Sequence, residues 1–171
     1  LGESIEATCK VKTESVIDPT LLLDEHQYKE LIHPVECKED YLMAYFITED
    51  PKMHKIAEFL ARTLNLKLIE FHGRYNPNLK GCVQCTDKAP GEFLSYIKNA
   101  KFVVTNSFHG TVFSVLFSKK FYSVYNEDSR KSDLLSSLGL NSRHIYDYKE
   151  IDLSEEIDYS EVYSKLDELR T

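Results

Sequence analysis

Between residues 105 and 111 the chain reads Thr-Asn-Ser-Phe-His-Gly-Thr, and directly after it Val112 to Phe117 is almost wholly apolar. Histidine changes charge near neutral pH, so His109 can deliver or accept a proton. Thr105, Asn106, Ser107 and Thr111 offer hydroxyl and amide groups, and Gly110 lets a backbone come close. At the start of a helix, such a run also presents free N–H groups and a positive dipole end, which suit a phosphate or carboxylate. Arg130 can hold the same kind of anion through two parallel bonds. The chemistry expected is proton transfer on an anionic substrate, with His109 catalytic and Thr105, Asn106, Ser107, Gly110, Thr111 and Arg130 binding. A blander reading stays open: Ser107 or Asn106 caps a helix and His109 is a hydrogen-bonded structural residue.

The elements around these residues say where they must stand. Apolar runs at Tyr41–Ile47, Lys67–Phe71, Lys101–Thr105, Phe121–Tyr125 and His144–Tyr148 read as strands. Between them lie helical patterns. Asp50-Pro51 opens one, with Ile56, Phe59, Leu60 and Leu64 on one stripe. Pro90 to Ala100 carries Phe93, Leu94 and Ile97 inward, and residues 130 to 138 form another, ended by Gly139. An acidic helix closes the chain, with Val162, Leu166 and Leu169 facing in. Residues 1 to 40 read as a connector, with a turn at Asp18-Pro19 and a short helix from Asp24 to Leu31. The loop from Gly73 to Ala89 is long enough to imply function or mobility.

Strands alternating with helices predict an α/β fold: a Rossmann-like parallel sheet of about five strands over residues 41–171. Ligands of such sheets bind at the carboxyl ends of the strands, where strand order reverses. If the first strand pairs with both the second and the third, the 105–111 run falls at that reversal. The apolar helix behind it is then an anchor, and His109 is what it positions.

Composition narrows the class. The 171 residues carry a formal net charge of −7 and 42% hydrophobic residues, which fits one globular domain and argues against general nucleic-acid binding. No stretch approaches the roughly 18 apolar residues of a membrane span, and no signal peptide is legible, so a cytoplasmic setting, the inner membrane face included, is expected. A start at Leu1 reads as a processed form or a piece. Cys82 and Cys85 have the spacing of half a zinc site with no second half, so reduced, metal-free thiols are expected for them, beside Cys9 and Cys37. His26, His33 and His54 sit in polar helical contexts and are expected in solvent. His72 and His144 lie at strand ends, where each can reach a cleft.

Three segments in order, IDPTLLLD (17–24), PGEFLSYIKNAKFVVTNSFHGTVFSVLFSKKF (90–121) and DSRKSDLLSSLGL (128–140), resemble the polysaccharide pyruvyl transferase family. The resemblance implies the C-terminal, donor-binding half of a GT-B-like enzyme of two Rossmann-like halves, its N-terminal partner domain preceding Leu1. It implies transfer of a pyruvyl group from phosphoenolpyruvate to a glycan or lipid-linked sugar acceptor, with no cofactor and no metal. His109 matches the family's motif histidine, and Arg130 its basic residue after the fourth strand. One branch of the family has Arg where this chain has Ser107, which leaves Arg130, the helix N-terminus, or Lys119 and Lys120 to bind the donor phosphate. A nucleotide-sugar-dependent GT-B glycosyltransferase, holding a ribose through Glu127 or Asp128, is the enzymatic alternative. A non-enzymatic α/β binding module is the other.

Overall fold

The computed structural model describes residues 8–12, 16–35, 37–48 and 50–171. Six strands form one parallel sheet: β1 (Tyr41–Tyr45), β2 (Lys67–Phe71), β3 (Val83–Cys85), β4 (Phe102–Thr105), β5 (Phe121–Val124) and β6 (His144–Ile145). Their order is β3-β2-β1-β4-β5-β6. β1 is central, pairing Tyr45 with Phe71 of β2 on one side and with Thr105 of β4 on the other. The chain therefore runs outward to β3, returns beneath the sheet, and runs outward again to β6. The reversal lies between the carboxyl ends of β1 and β4, as expected from the order of elements.

The sheet differs from the sequence reading at its edges. β3 lies inside the stretch taken as one long loop, because Val83–Cys85 lengthens the ladder on β2 through the Ile69–Val83 to Phe71–Cys85 pairs. β6 stops at Ile145, since Asp147 caps a tight turn at Tyr148–Glu150.

Helices α1 (Pro51–Thr63), α2 (Pro90–Asn99), α3 (Phe108–Leu116), α4 (Ser129–Ser137) and α5 (Tyr159–Arg170) cover the faces. Each begins on a local signal. Asp50, Ser107, Asp128 and Asp158 accept backbone N–H groups at the first turns of α1, α3, α4 and α5, while Glu92 reaches back to the Ala89 N–H for α2. α1 lies on one face, where Met53, Ile56, Ala57, Leu60 and Ala61 pack on Leu42, Ala44, Leu68 and Val104. Phe59 is the exception to the expected stripe: it is 39% exposed and leans on Tyr148. The other four helices share the opposite face, with Leu94, Ile97, Val112, Val115, Leu135 and Leu166 over Met43, Ile69 and Val103. Leu169 does not join them; it is 41% exposed, one position off the Val162–Leu166 line on α5.

Most of the described stretch from Ile17 to Ile32 is docked rather than trailing. Asp18 caps a turn at Pro19–Leu22, Asp24 caps the helical turn Glu25–Tyr28, and Leu21 and Tyr28 enter the core. The Tyr28 ring meets Phe113 of α3 edge-on at 5.2 Å, and Arg170 of α5 donates to the Leu21 and Leu23 carbonyls. Among the described residues no helix is long and apolar enough to cross a membrane.

Candidate functional site

Thr105 ends β4, and its hydroxyl donates to the Tyr45 carbonyl at 2.6 Å while accepting the Ser107 N–H at 3.0 Å. Asn106 is fully buried. Its side chain accepts the Ile47 N–H at 2.8 Å and donates to the Thr48 hydroxyl at 2.8 Å and the Met53 sulfur at 3.0 Å. Ser107 caps α3 through the Gly110 N–H, and Thr111 bonds the Ser107 carbonyl and the Ser123 hydroxyl, both at 3.0 Å. These side chains hold the carboxyl ends of β1, β4 and β5 together, and their polar atoms are engaged within the protein.

Gly110 fits the same picture. A Cβ built there would overlap the Thr105 hydroxyl and lie 3.0 Å from Thr105 Cβ. The close approach that glycine permits is therefore made by β4, which brings the first turn of α3 down onto the strand it follows.

What remains free is aimed outward. His109 is exposed, while Phe108 beside it is buried. Among the described residues neither the Phe108 nor the His109 N–H has a hydrogen-bond partner, so two N–H groups of the positive helix end stay available. Arg130 comes to the same place from α4, its guanidinium 4.7 Å from the centre of the Phe108 ring. It forms two bonds with Asp128, 2.9 and 2.7 Å long, and its side chain is 55% exposed. Those bonds hold the Asp128 carboxyl below the usual carboxylate range.

The third participant is Asp18, which the sequence reading treated only as a turn residue. Burial pushes its carboxyl up, but bonds from Thr20 and the charges of His109 and Arg130 outweigh that and leave it lowered. Asp18, Phe108 and Arg130 line a cleft of about 480 Å³ together with Pro19, Asp133 and Leu169. His109 stands outside that lining, one residue along from Phe108. The only signal for Asp18 in the sequence was its place in the 17–24 segment.

Lys131 was also missed. It is fully buried beside Arg130 and donates to the Val124 carbonyl at 2.6 Å; burial pulls its pKa down to about 8, against a partial rise from Asp128. The lysines proposed as alternative phosphate ligands are engaged elsewhere. Lys119 donates to the Lys98 and Ala100 carbonyls at the end of α2, and Lys120 pairs with Glu156.

Of the three histidines expected in solvent, two are there and one is not. His26 and His33 are exposed. His54 is not in solvent: it bonds the fully buried Glu70 carboxylate, and His72 bonds the other oxygen of Glu70 at 2.8 Å. His144 is partly buried beneath Tyr125 and Tyr146, and its pKa is lowered by burial and by Lys131.

A family model described as polysaccharide pyruvyl transferase matches residues 3–129. No curated protein matches the chain. Among solved structures, one described as a UDP-N-acetylglucosamine 2-epimerase from Listeria monocytogenes aligns at 8% identity and TM-score 0.49, covering 93% of this chain and 43% of its own. The glycosyltransferase SnogD from Streptomyces nogalater aligns at 8% identity and TM-score 0.47, covering 94% and 41%. The heptosyltransferase II of E. coli, which acts with ADP-heptose, aligns at 11% and 0.42, covering 94% and 54%. The chain thus spans about half the length of the structures it matches.

Proposed function

Because the chain belongs to the polysaccharide pyruvyl transferase family, we propose that it is the donor-binding half of a GT-B-like, two-domain enzyme that moves a pyruvyl group from phosphoenolpyruvate to a sugar. The observation that carries this reading is the convergence of Asp18, His109 and Arg130 around the Phe108 ring, beside the free N–H groups of α3. These groups come from three segments distant in the chain, and they supply what an anionic, acid-labile donor requires.

Ketal formation needs one proton on the methylene carbon of the donor, bonds from two sugar hydroxyls to its central carbon, and departure of phosphate. His109 supplies a proton to the methylene carbon or to the leaving phosphate. Arg130 and the α3 N–H groups neutralise the phosphate or carboxylate, with Arg130 giving up one of its Asp128 bonds to do so. Asp18 is a positioning residue, its carboxylate lining the cleft beside Phe108 and Arg130. Thr105, Asn106, Ser107, Gly110 and Thr111 serve binding through the shape they impose on the loop, since their polar atoms are already paired.

A donor screen tests this: phosphoenolpyruvate against uridine and guanosine nucleotide sugars, with the full-length protein and phosphate release as readout. Turnover of a nucleotide sugar and none of phosphoenolpyruvate would overturn the reading. Residues 1–171 alone are expected to bind phosphoenolpyruvate weakly without turnover, because the acceptor side of the cleft belongs to the other half.

A further inference from the structure

On the opposite face of the sheet from α3, Glu70 of β2 points toward α1 from the same side as Leu68. It is a carboxylate with no solvent exposure, and its two oxygens are shared between His54 Nδ1 and His72 Nε2. Cys82, just before β3, completes the group. One ligand atom each from His54, Glu70 and Cys82 lies within 4.8 Å of the others. A cavity of about 510 Å³ opens beside them, with Asp50, Glu58 and Asn76 among its lining.

The spacing of the cysteines explains why this site was not legible as a pair. Cys85 is three residues on along an extended strand, so it faces the other side of the sheet and packs with Phe71 and Leu94, whereas Cys82 packs on the α1 side. The partners of Cys82 come instead from α1 and β2. Among the described residues Cys82 makes no hydrogen bond.

We propose that His54, Glu70 and Cys82 bind one divalent ion of the zinc class, with His72 orienting Glu70 from behind and the fourth coordination position facing the cavity. The donor set is one nitrogen, one oxygen and one sulfur, the mixture that zinc accepts, and three protein ligands with an open position is the arrangement of sites that admit a further ligand. The ion takes the place of the proton between His54 Nδ1 and Glu70, which passes to the other ring nitrogen or to solvent, while the Cys82 thiol loses its proton to solvent. One doubly positive ion then balances one carboxylate and one thiolate, so the buried cluster becomes neutral. The histidine behind the carboxylate is the outer partner that such ligands use to fix their direction. This replaces the expectation of a metal-free Cys82 and leaves that for Cys85 in place. It does not depend on the donor chemistry proposed at His109.

The test uses the chain stripped with chelator and titrated with cobalt(II) as a spectroscopic stand-in for zinc. One equivalent is expected to give a thiolate-to-cobalt charge-transfer band in the near ultraviolet, which zinc then displaces. Cys82→Ser should abolish the band and Cys85→Ser should leave it, while His72→Ala should weaken affinity by about 10- to 100-fold. The wild-type titration requires no variant to fold: absence of the band at several equivalents overturns the proposal. A band that survives Cys82→Ser overturns it as well, since the thiolate then comes from elsewhere.

Discussion

Replacing Gly110 by Ala adds a single methyl group, and its effect can be worked out from three residues. The new Cβ overlaps the Thr105 hydroxyl and comes to 3.0 and 3.1 Å from Thr105 Cβ and Cγ2. Thr105 cannot turn away freely, because its hydroxyl holds the Tyr45 carbonyl and the Ser107 N–H. If it turns, the Ser107 N–H is left buried without a partner, at about 1–3 kcal/mol, and Tyr45 loses one net bond worth about 1 kcal/mol. Tyr45 is not orphaned, since its carbonyl also accepts the Asn106 N–H. Alanine regains about 1 kcal/mol as a better helix former than glycine. If α3 lifts instead, overpacking costs about 1–3 kcal/mol. After that gain the first route predicts a net loss of about 1–3 kcal/mol and the second about 0–2 kcal/mol, a fall in Tm of up to roughly 12 °C for a domain of this size.

The diagnostic is the double-mutant cycle with Thr105→Ala, read by urea and thermal denaturation of the four proteins. Without the hydroxyl the main overlap is gone, and the remaining contact with Cβ is relieved by a shift of a few tenths of an ångström. Gly110→Ala should then be neutral or slightly stabilising in the Thr105→Ala background, giving a coupling above about 1 kcal/mol. Strict additivity, or a stabilising Gly110→Ala in the wild-type chain, would refute the close approach of α3 to β4.

Three further outcomes are expected. In the full-length enzyme His109→Ala should lower kcat by about 100- to 10,000-fold with a smaller change in KM, and Arg130→Ala should chiefly raise KM for phosphoenolpyruvate, because an acid acts as charge develops whereas an anion-binding group already meets the ground state; near-normal kcat for His109→Ala would make that histidine structural. Lys131→Met should stabilise the protein at pH 7 by up to about 3 kcal/mol, less the lost bond to Val124, since burial holds the lysine near 8 against 10.5 when unfolded. Between those two pH values only the unfolded chain keeps the extra proton, so the advantage of the variant should shrink steadily from pH 8 to 10.5 in urea titrations, and referencing the wild type to the variant removes the opposing tyrosine and cysteine titrations; a gap that does not change with pH would be inconsistent with a buried, charged Lys131. Asn106→Ala should destabilise by about 1–3 kcal/mol in the same assay, as it removes the buried amide that bonds the Ile47 N–H and the Thr48 hydroxyl.

The sequence by itself determined the local grammar. Asp50-Pro51 and Ser107 announced helix starts because a cap acts only on the N–H groups a few residues away. The buried run of β4 followed at once by α3 was legible for the same reason, as was the switch point, since parallel crossovers leave few orders for alternating strands and helices. Only the tertiary structure decided what each polar group meets. Asn106 looked like a ligand-binding amide until Ile47 and Thr48, nearly sixty residues earlier, proved to be its partners. Asp18 joined His109 and Arg130 only once the connector docked on α3. Cys82 turned to His54 and Glu70 and away from Cys85, because an offset of three along a strand separates two side chains by the thickness of the sheet. Caps and periodicity are written in neighbouring residues, but the pairing of buried polar side chains depends on which distant segments share a sheet edge, and that is fixed only when the strands assemble.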